Sequence, residues 1–409
     1  MRDLNEIIKE LILRRERGKK PITLLAVCPN SSAVLEAAIR AAVRNRSIML
    51  FAATLNQVDF ESSYTGWTQA DFVRQMEEYA YKYHWSGPLY PCLDHGGPWL
   101  KDLHSLAQLT YSETMEKVKK SITACIEAGY RLLHIDPTID RTRTISQPLP
   151  IQLVVERTVE LIAYAERIRL ASGLPRLAYE VGTEEVHGGL VDFDRFEQFL
   201  NLLRVQLHEK NLDQCWPCLL VAQIGTDLHT IIFKPDVARR LYSILAPLGS
   251  MVKGHYTDWV ENPEAYPTSG IGAANVGPEF TAEEFKALSE LEEQERVILE
   301  EIKIPPSNFI ETLQNVVVES GRWKKWVLPV EEGLAFSELT STRKEWLLKT
   351  GSRYIWTNDQ VVAARNILYK NLWMKEIDAQ DYVIEKITRV IEKYIRVFNL
   401  QNSVDTLGK

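Results

Sequence analysis

Arg131-Leu132-Leu133-His134-Ile135-Asp136-Pro137-Thr138 is a short apolar run that closes on polar side chains. Beyond a polar connection comes Ile151–Ala171, whose apolar residues recur at helical spacing. This unit of apolar run followed by periodic segment repeats along the chain. The runs are Ile22–Pro29, Ser47–Val58, Pro88–Gly96, Arg131–Thr138, Leu177–Glu185, Pro217–Thr226, Ser250–Asp258 and Gly270–Pro278. Helix-periodic stretches lie at Ser31–Arg46, Thr68–Trp85, Ser112–Ala128, Ile151–Ala171, Phe193–Glu209, Pro235–Ala246 and Thr281–Glu301. Between the seventh and eighth runs, around Asn262–Ser269, there is room for one short helical turn.

A strand followed by a helix and then another strand implies parallel strands joined by crossovers. Eight such units within about 280 residues predict a closed (β/α)8 TIM barrel. The competing architecture, a doubly wound open sheet, puts G-x-G-x-x-G after its first strand, whereas Cys28-Pro29-Asn30-Ser31-Ser32 stands there. Residues 1–17 read as an extra N-terminal helix with Leu4, Ile7, Ile8, Leu11 and Ile12 as its apolar stripe, closing the barrel bottom or packing beside it. The barrel with this helix spans residues 1–301. Residues 302–409 read as a mainly helical C-terminal extension, with clear periodicity over Asp359–Trp373 and Asp381–Leu400. Trp323, Trp326, Trp346, Trp356 and Trp373 give the extension apolar area to cover the barrel or to form a homo-oligomer interface.

Composition narrows the function class. A net charge of -7 with no long Lys/Arg run argues against a nucleic-acid partner. The cluster Arg14–Lys20 reads as the solvated end of the first helix. No apolar run reaches the ~20 residues needed to span a bilayer. The acidic, amphipathic start Met1–Glu6 is unlike a signal peptide, and five sparse cysteines fit reduced thiols, so a cytoplasmic location is expected. Cys215-Trp216-Pro217-Cys218 opens an apolar strand and has no second cysteine pair nearby, so it reads as structural rather than redox or zinc-binding.

In this fold, chemistry sits where the strands end. The runs end in, or carry near their ends, Asn56-Gln57-Val58, Asp94-His95-Gly96-Gly97-Pro98, His134-Ile135-Asp136, Glu180 to Glu185, Gln223-Ile224-Gly225-Thr226, Gly254-His255-Tyr256-Thr257-Asp258 and Asn275-Val276-Gly277-Pro278. Any one of these histidines alone reads as a satisfied core residue. Their convergence on one rim is what carries the inference. Imidazoles with a carboxylate suit a divalent ion, zinc foremost, with manganese, cobalt or nickel as alternatives. The candidate ligand set is His95, Glu184 and His255, with Gln223 as a fourth ligand or a substrate contact. Glu180 shares strand parity with Glu184, so it is an alternative ligand or a base. Asp94 is a candidate acid/base group, as are Asp136 and Asp258. Alternation puts Asp94 and His95 on opposite faces unless the strand has already turned, and Gly96-Gly97-Pro98 permits that. Asn56, Gln57, Gln223, Asn275 and Gly277 are candidate substrate contacts. Thr281-Ala282-Glu283-Glu284 has a capping-box pattern, so Asn275 to Thr281 is either a phosphate site at a helix N-terminus or an ordinary cap. Lys253 shares the face of His255 and opens the alternative of a Schiff-base aldolase.

With these residues in view, the chain resembles the so-called non-catalytic subunit of class II tagatose-bisphosphate aldolase, a class II aldolase-like barrel long labelled a tagatose-6-phosphate kinase. The resemblance is carried by Asn56-Gln57-Val58 with Tyr64-Thr65-Gly66, Asp94-His95-Gly96-Gly97-Pro98, His134-Ile135-Asp136, Tyr179 to Glu184 with Gly188-Gly189, His255 with Thr257-Asp258, Val276-Gly277-Pro278, and Arg353-Tyr354-Ile355-Trp356. It implies either a metal-dependent 4-epimerase of a ketose or ketose phosphate, or a partner that stabilises a catalytic class II aldolase subunit. It also implies an acid/base role for Asp94, a metal-ligand role for His95, and the place of the late-barrel histidine for His255. The chain departs from the family pattern at Trp99, where asparagine is usual, at Glu180, where an apolar residue is commoner, and in the acidic stretch after Pro278. The kinase label has no motif behind it, since G-x-x-x-x-G-K-[ST] is absent.

Overall fold

The computed structural model describes residues 2–143, 149–183 and 189–407. Its strands are β1 (Leu24–Val27), β2 (Met49–Thr54), β3 (Tyr90–Gly96), β4 (Leu132–Ile135), β5 (Ala178–Gly182), β6 (Leu219–Val221), β7 (Met251–Gly254) and β8 (Ile271–Val276). Each lies inside one of the eight apolar runs. They pair in sequence order, all parallel, and β8 closes onto β1 with Leu24 opposite Ala273. Nearly every strand residue is buried, which is why the runs are continuously apolar rather than alternating.

The helices start where side chains can satisfy the free amides of a first turn. Ser31 accepts from the Val34 amide at 3.1 Å to open Ser32–Asn45. Thr68 and Thr110 open Gln69–Lys82 and Tyr111–Glu127 with full capping boxes. Between β7 and β8 lies only the five-residue helix Ala265–Ser269. The N-terminal helix Leu4–Glu16 buries its whole apolar stripe. It sits under the barrel: the Tyr90 hydroxyl donates to Arg2 O at 2.9 Å, and Asn5 Nδ2 donates to Leu177 O at 3.4 Å, both at the N-terminal strand ends.

The helix after β8 corrects the sequence reading. It runs Pro278–Ile302 and starts three residues before Thr281, with Gly277 as its cap and proline at its first position. Thr281 and Glu284 are therefore interior to the helix, and the apparent capping box is not one. Glu284 is instead 2% exposed and accepts from Ser31 Oγ at 2.6 Å. Burial raises its pKa from 4.5 to about 7 against the opposing Ser31 bond and Arg365 charge. A raised carboxylate pKa gives the folded state the tighter hold on the proton. Its stabilising effect is thus complete below about pH 4.5 and lost as pH rises to about 7. Glu284→Gln is expected to be more stable than wild type at pH 8, by roughly 2–3 kcal/mol, and equal to it near pH 4.5. Paired denaturant melts check this, and a constant difference across that range would contradict it.

The extension contains Phe309–Ser320, Ser341–Gly351, Asp359–Trp373 and Ala379–Val397. The last helix is capped by Asp378. It packs along Ser32–Asn45 and Pro278–Ile302, pinned by Arg40–Asp381 at 2.6 Å and Arg44–Glu385 at 2.8 Å. Of the five tryptophans, Trp323 and Trp356 are buried and Trp373 is exposed. The short turns Arg322–Trp326 and Ser352–Tyr354 reach the barrel mouth. No helix of the described residues is long and apolar enough to cross a membrane.

Candidate metal and substrate site

A cavity of about 540 Å³ opens at the C-terminal ends of the strands, and Asp94, His95, Asp136, His255 and Asn275 line it. Asp94 and His95 serve it together because β3 is irregular there. His95 has a left-handed φ of 51°, and the pairing of β3 with β4 shifts register between Leu93 and Gly96. The turn thus lies inside the strand rather than beyond it. The two glycines that follow are a packing requirement: a Cβ on Gly97 would lie 1.7 Å from the Asp136 carbonyl oxygen. Gly97→Ala must displace the backbone of the residue that orients His95. It is expected to cost about 1–3 kcal/mol of stability and most of any activity, readable as a lowered Tm together with reduced turnover.

Below the cavity lies a buried charge network. Glu180, 0% exposed, accepts from Lys253 Nζ at 2.7 Å and from His255 Nε2 at 3.0 Å. Lys253 also reaches Asp94 Oδ1 at 3.4 Å. Asn275 Nδ2 donates to Asp94 Oδ2 at 3.0 Å. Burial pushes the Asp94 carboxyl upward, but Lys253, His95 and His255 outweigh it and hold the group well below the usual range. Glu180 is treated the same way, and the Lys253 charge brings it down to about 2. Lys253, despite burial, is held cationic by Glu180 and Asp94. A Schiff-base nucleophile needs a free amine, so this arrangement disfavours the Lys253 alternative.

Three imidazoles meet beside Asp94. The His95 ring lies 4.6 Å from that of His134 and 4.8 Å from that of His255, centroid to centroid. Asp136 Oδ2 contacts His95 Nδ1 at 2.5 Å, which fixes the ring and leaves Nε2 as its other nitrogen. Desolvation disfavours the His95 cation, yet Asp94 and Asp136 raise its pKa to about 9. Burial lowers His255 to about 4, so it is neutral. His134 Nδ1 accepts from the His95 amide at 3.1 Å and lies 3.4 Å from Asp94 Oδ1.

The donor set fits a divalent ion. Asp94, His95, His134 and His255 each offer one ligand atom, all within 4.8 Å of one another. His134 Nε2 and Asn275 Oδ1 are buried without a protein partner. Three nitrogens and an oxygen at this spacing are what zinc and neighbouring transition metals take.

The sequence-derived candidates fall in several places. Asp94, His95, His255 and Asn275 come together. Glu180 joins them from beneath, committed to Lys253 and His255. Glu184 lies outside the described residues, and in the described structure His134 and Asp94 complete the cluster. Asp136 also lines the cavity, with one oxygen committed to His95. Asp258 accepts from the amides of Gly277 at 3.0 Å and Glu279 at 2.7 Å, so it caps Pro278–Ile302, and burial raises its pKa to about 7. That carboxylate takes the amides a phosphate would have used, which overturns Asn275 to Thr281 as a phosphate site and removes the Gly277 amide as a substrate donor. Asn56 spends its amide on Leu100 O and Asp102 N. Gln57 spends its own on Pro29 O, Asn30 and the Thr54 amide. Both border the cavity but hold loops. Gln223 does not line the cavity and packs against Gly189. The five cysteines are free, and burial pushes the Cys215 thiol up to about 12.

Sequence reasoning placed His134 at a strand end but not among the ligands. It shares strand parity with Asp136, which was a usable signal. It missed Lys253 as the ion-pair partner of two carboxylates and Arg322 from the extension, and it gave Arg353 no role beyond the family resemblance.

A closed (β/α)8 barrel with a histidine–carboxylate cluster at its strand ends defines the structural class. The chain belongs within it to the D-tagatose-1,6-bisphosphate aldolase subunit GatZ/KbaZ-like family, whose model matches residues 8–402. It is 25% identical over 403 residues to D-tagatose 6-phosphate 4-epimerase of Agrobacterium fabrum (strain C58 / ATCC 33970), covering 91% of this chain and 89% of that protein. The fold is that of the crystal structure of a probable tagatose 6 phosphate kinase from Sinorhizobium meliloti 1021: TM-score 0.75, 22% identity, 92% of this chain and 100% of the other. Fructose-bisphosphate aldolase from Campylobacter jejuni shares it more distantly: TM-score 0.53, 12% identity, 98% of this chain and 94% of the other. Family and fold together support a carbohydrate function of the aldolase–epimerase type.

Proposed function

We propose that the chain is a metal-dependent 4-epimerase of a ketose or ketose phosphate in the fructose–tagatose series. The observation that carries this reading is the convergence of Asp94 with His95, His134 and His255 at the strand ends, where Asp94, His95 and His255 line a sugar-sized cavity. The name of the Agrobacterium relative supports the 4-epimerase choice within the family.

His95, His134 and His255 would hold the ion, with Asp94 beside them, zinc being the metal best matched to three imidazoles. Bound there, the ion supplies Lewis acidity that polarises a substrate carbonyl. The rest follows from the chain's own groups. Asp94 accepts the proton of the 4-hydroxyl as the C3–C4 bond opens and returns a proton when the bond closes on the other face of the aldehyde. Asn275 and Lys253 fix its two oxygens. Glu180 is the countercharge that keeps Lys253 in place. Asp136 keeps the His95 ring turned to the cavity. Arg322, Trp326 and Arg353 of the extension border the mouth and limit water entry.

The family description names an aldolase subunit, which favours a second reading in which the chain stabilises a catalytic class II aldolase partner. Metal analysis of the purified chain, with a ketose-phosphate assay before and after chelation, separates the two. About one bound ion per chain and activity lost on chelation support the epimerase. A metal-free chain that only raises the Tm of a co-expressed aldolase supports the partner reading.

A further inference from the structure

Three residues of the extension that border the cavity are cationic, and one of them has no ion-pair contact among the described residues. Arg353 is 5% exposed, lines the cavity, and comes from the turn Ser352–Tyr354 of the extension. Its two hydrogen bonds go to neutral oxygens, Thr350 O at 2.7 Å and Tyr354 Oη at 2.9 Å. No carboxylate among the described residues forms an ion pair with it. A guanidinium carries five N–H donors, and a buried cation without a carboxylate is costly unless a ligand supplies the charge. Arg322 joins it by stacking on the same Tyr354 ring, the two guanidiniums lying 4.2 and 4.6 Å from its centroid. Lys325 stands beside Arg322, and both share one carboxylate, Asp102, at 2.6 and 3.2 Å.

We propose that this face of the extension is the subsite for the phosphate monoester of the substrate, with Arg353 at its centre and Arg322 and Lys325 at its rim. The inference rests on the reading that the cavity holds a sugar, and it selects the phosphorylated ketose over the free one. Arg322 and Lys325 share Asp102 while Arg353 has no carboxylate in ion-pair contact, so this face offers several cationic donors to one anion, which suits the three charged oxygens of a phosphate monoester. A carboxylate ligand would be satisfied by one guanidinium fork. The site is also the alternative to the helix start after β8, where Asp258 already caps the amides. A ketose phosphate would then lie with its carbonyl end toward His95 and His255 and its ester end under the extension.

The test is calorimetric binding to the full-length, metal-loaded chain of three probes: D-tagatose 6-phosphate, D-tagatose, and a ketose bearing a terminal carboxylate. Wild type is expected to bind the phosphate ester about 100-fold or more tighter than the free ketose. Arg353→Ala should lose about 30-fold or more of the ester affinity, with free-ketose binding held within about threefold. Lys325→Ala, at a half-exposed position that does not threaten folding, should lose about threefold to tenfold on the ester alone. If Arg353→Ala does not fold, Lys325→Ala and Arg322→Ala decide. Equal wild-type affinities for ester and free ketose would overturn the subsite, as would equal binding of the carboxylate ketose, or ester binding untouched in every variant that folds. Selective ester binding without conversion keeps the subsite and removes the epimerase. Conversion of free ketose without ester preference does the reverse.

Discussion

Asp94→Asn is expected to lower the rate of C4 epimerisation by about 10³-fold or more, the upper part of the range for a positioned proton-transfer group. The substitution conserves shape. The bond from Asn275 can be kept at the side-chain oxygen, and Lys253 keeps its 2.7 Å partner Glu180, so the fold has little to lose. What is lost is the carboxylate that stands among all three imidazoles and also lines the cavity. Metal content separates its two roles. An ion retained with turnover lost assigns proton transfer to Asp94, and an ion lost with it makes Asp94 a ligand first. Turnover within about tenfold of wild type would remove Asp94 from the chemistry altogether.

His255→Ala is the second large effect. It deletes one of three imidazoles and strips Glu180 of its 3.0 Å hydrogen bond. Metal affinity is expected to fall by about 100-fold or more, since even residues one layer outside a metal cost 10–100-fold when removed. Activity should fall in parallel and be recovered in part at raised metal concentration. Mass-spectrometric metal analysis after dialysis, with assays across a metal titration, reads both. Full activity of His255→Ala without bound metal would show that the imidazole cluster is structural.

How the site came to be legible in part can be argued from particular residues. The eight strands were readable because each is buried on both faces, and burial on both faces forces unbroken apolar runs. Strand ends were readable because polar side chains terminate those runs, which is how Asp94, His95, His255 and Asn275, which line one cavity, were singled out. Register inside a strand was not readable. The left-handed backbone at His95 comes from the shift between β3 and β4, a pairing property that no local pattern encodes. The helix after β8 was misplaced by three residues because Thr281-Ala282-Glu283-Glu284 imitates a capping box, while Gly277-Pro278 supplies the real start. Glu284 carries the imitation because it is needed elsewhere, as the buried partner of Ser31. Arg322 and Lys325 were invisible, and Arg353 entered through the family resemblance without a role, for another reason. They lie well beyond the last strand, which ends at Val276, and reach the cavity only through packing of the extension, so their spacing in sequence bears no relation to their place in space.

The measurement that tests the central claim most directly is ¹³C NMR of D-tagatose 6-phosphate incubated with the purified chain alone, metal-loaded and then chelated. The account predicts growth of D-fructose 6-phosphate signals to an equilibrium mixture, stopped by chelation and restored by zinc or a neighbouring divalent ion. An unchanged spectrum from metal-loaded protein without an aldolase partner, or conversion indifferent to chelation, would contradict it.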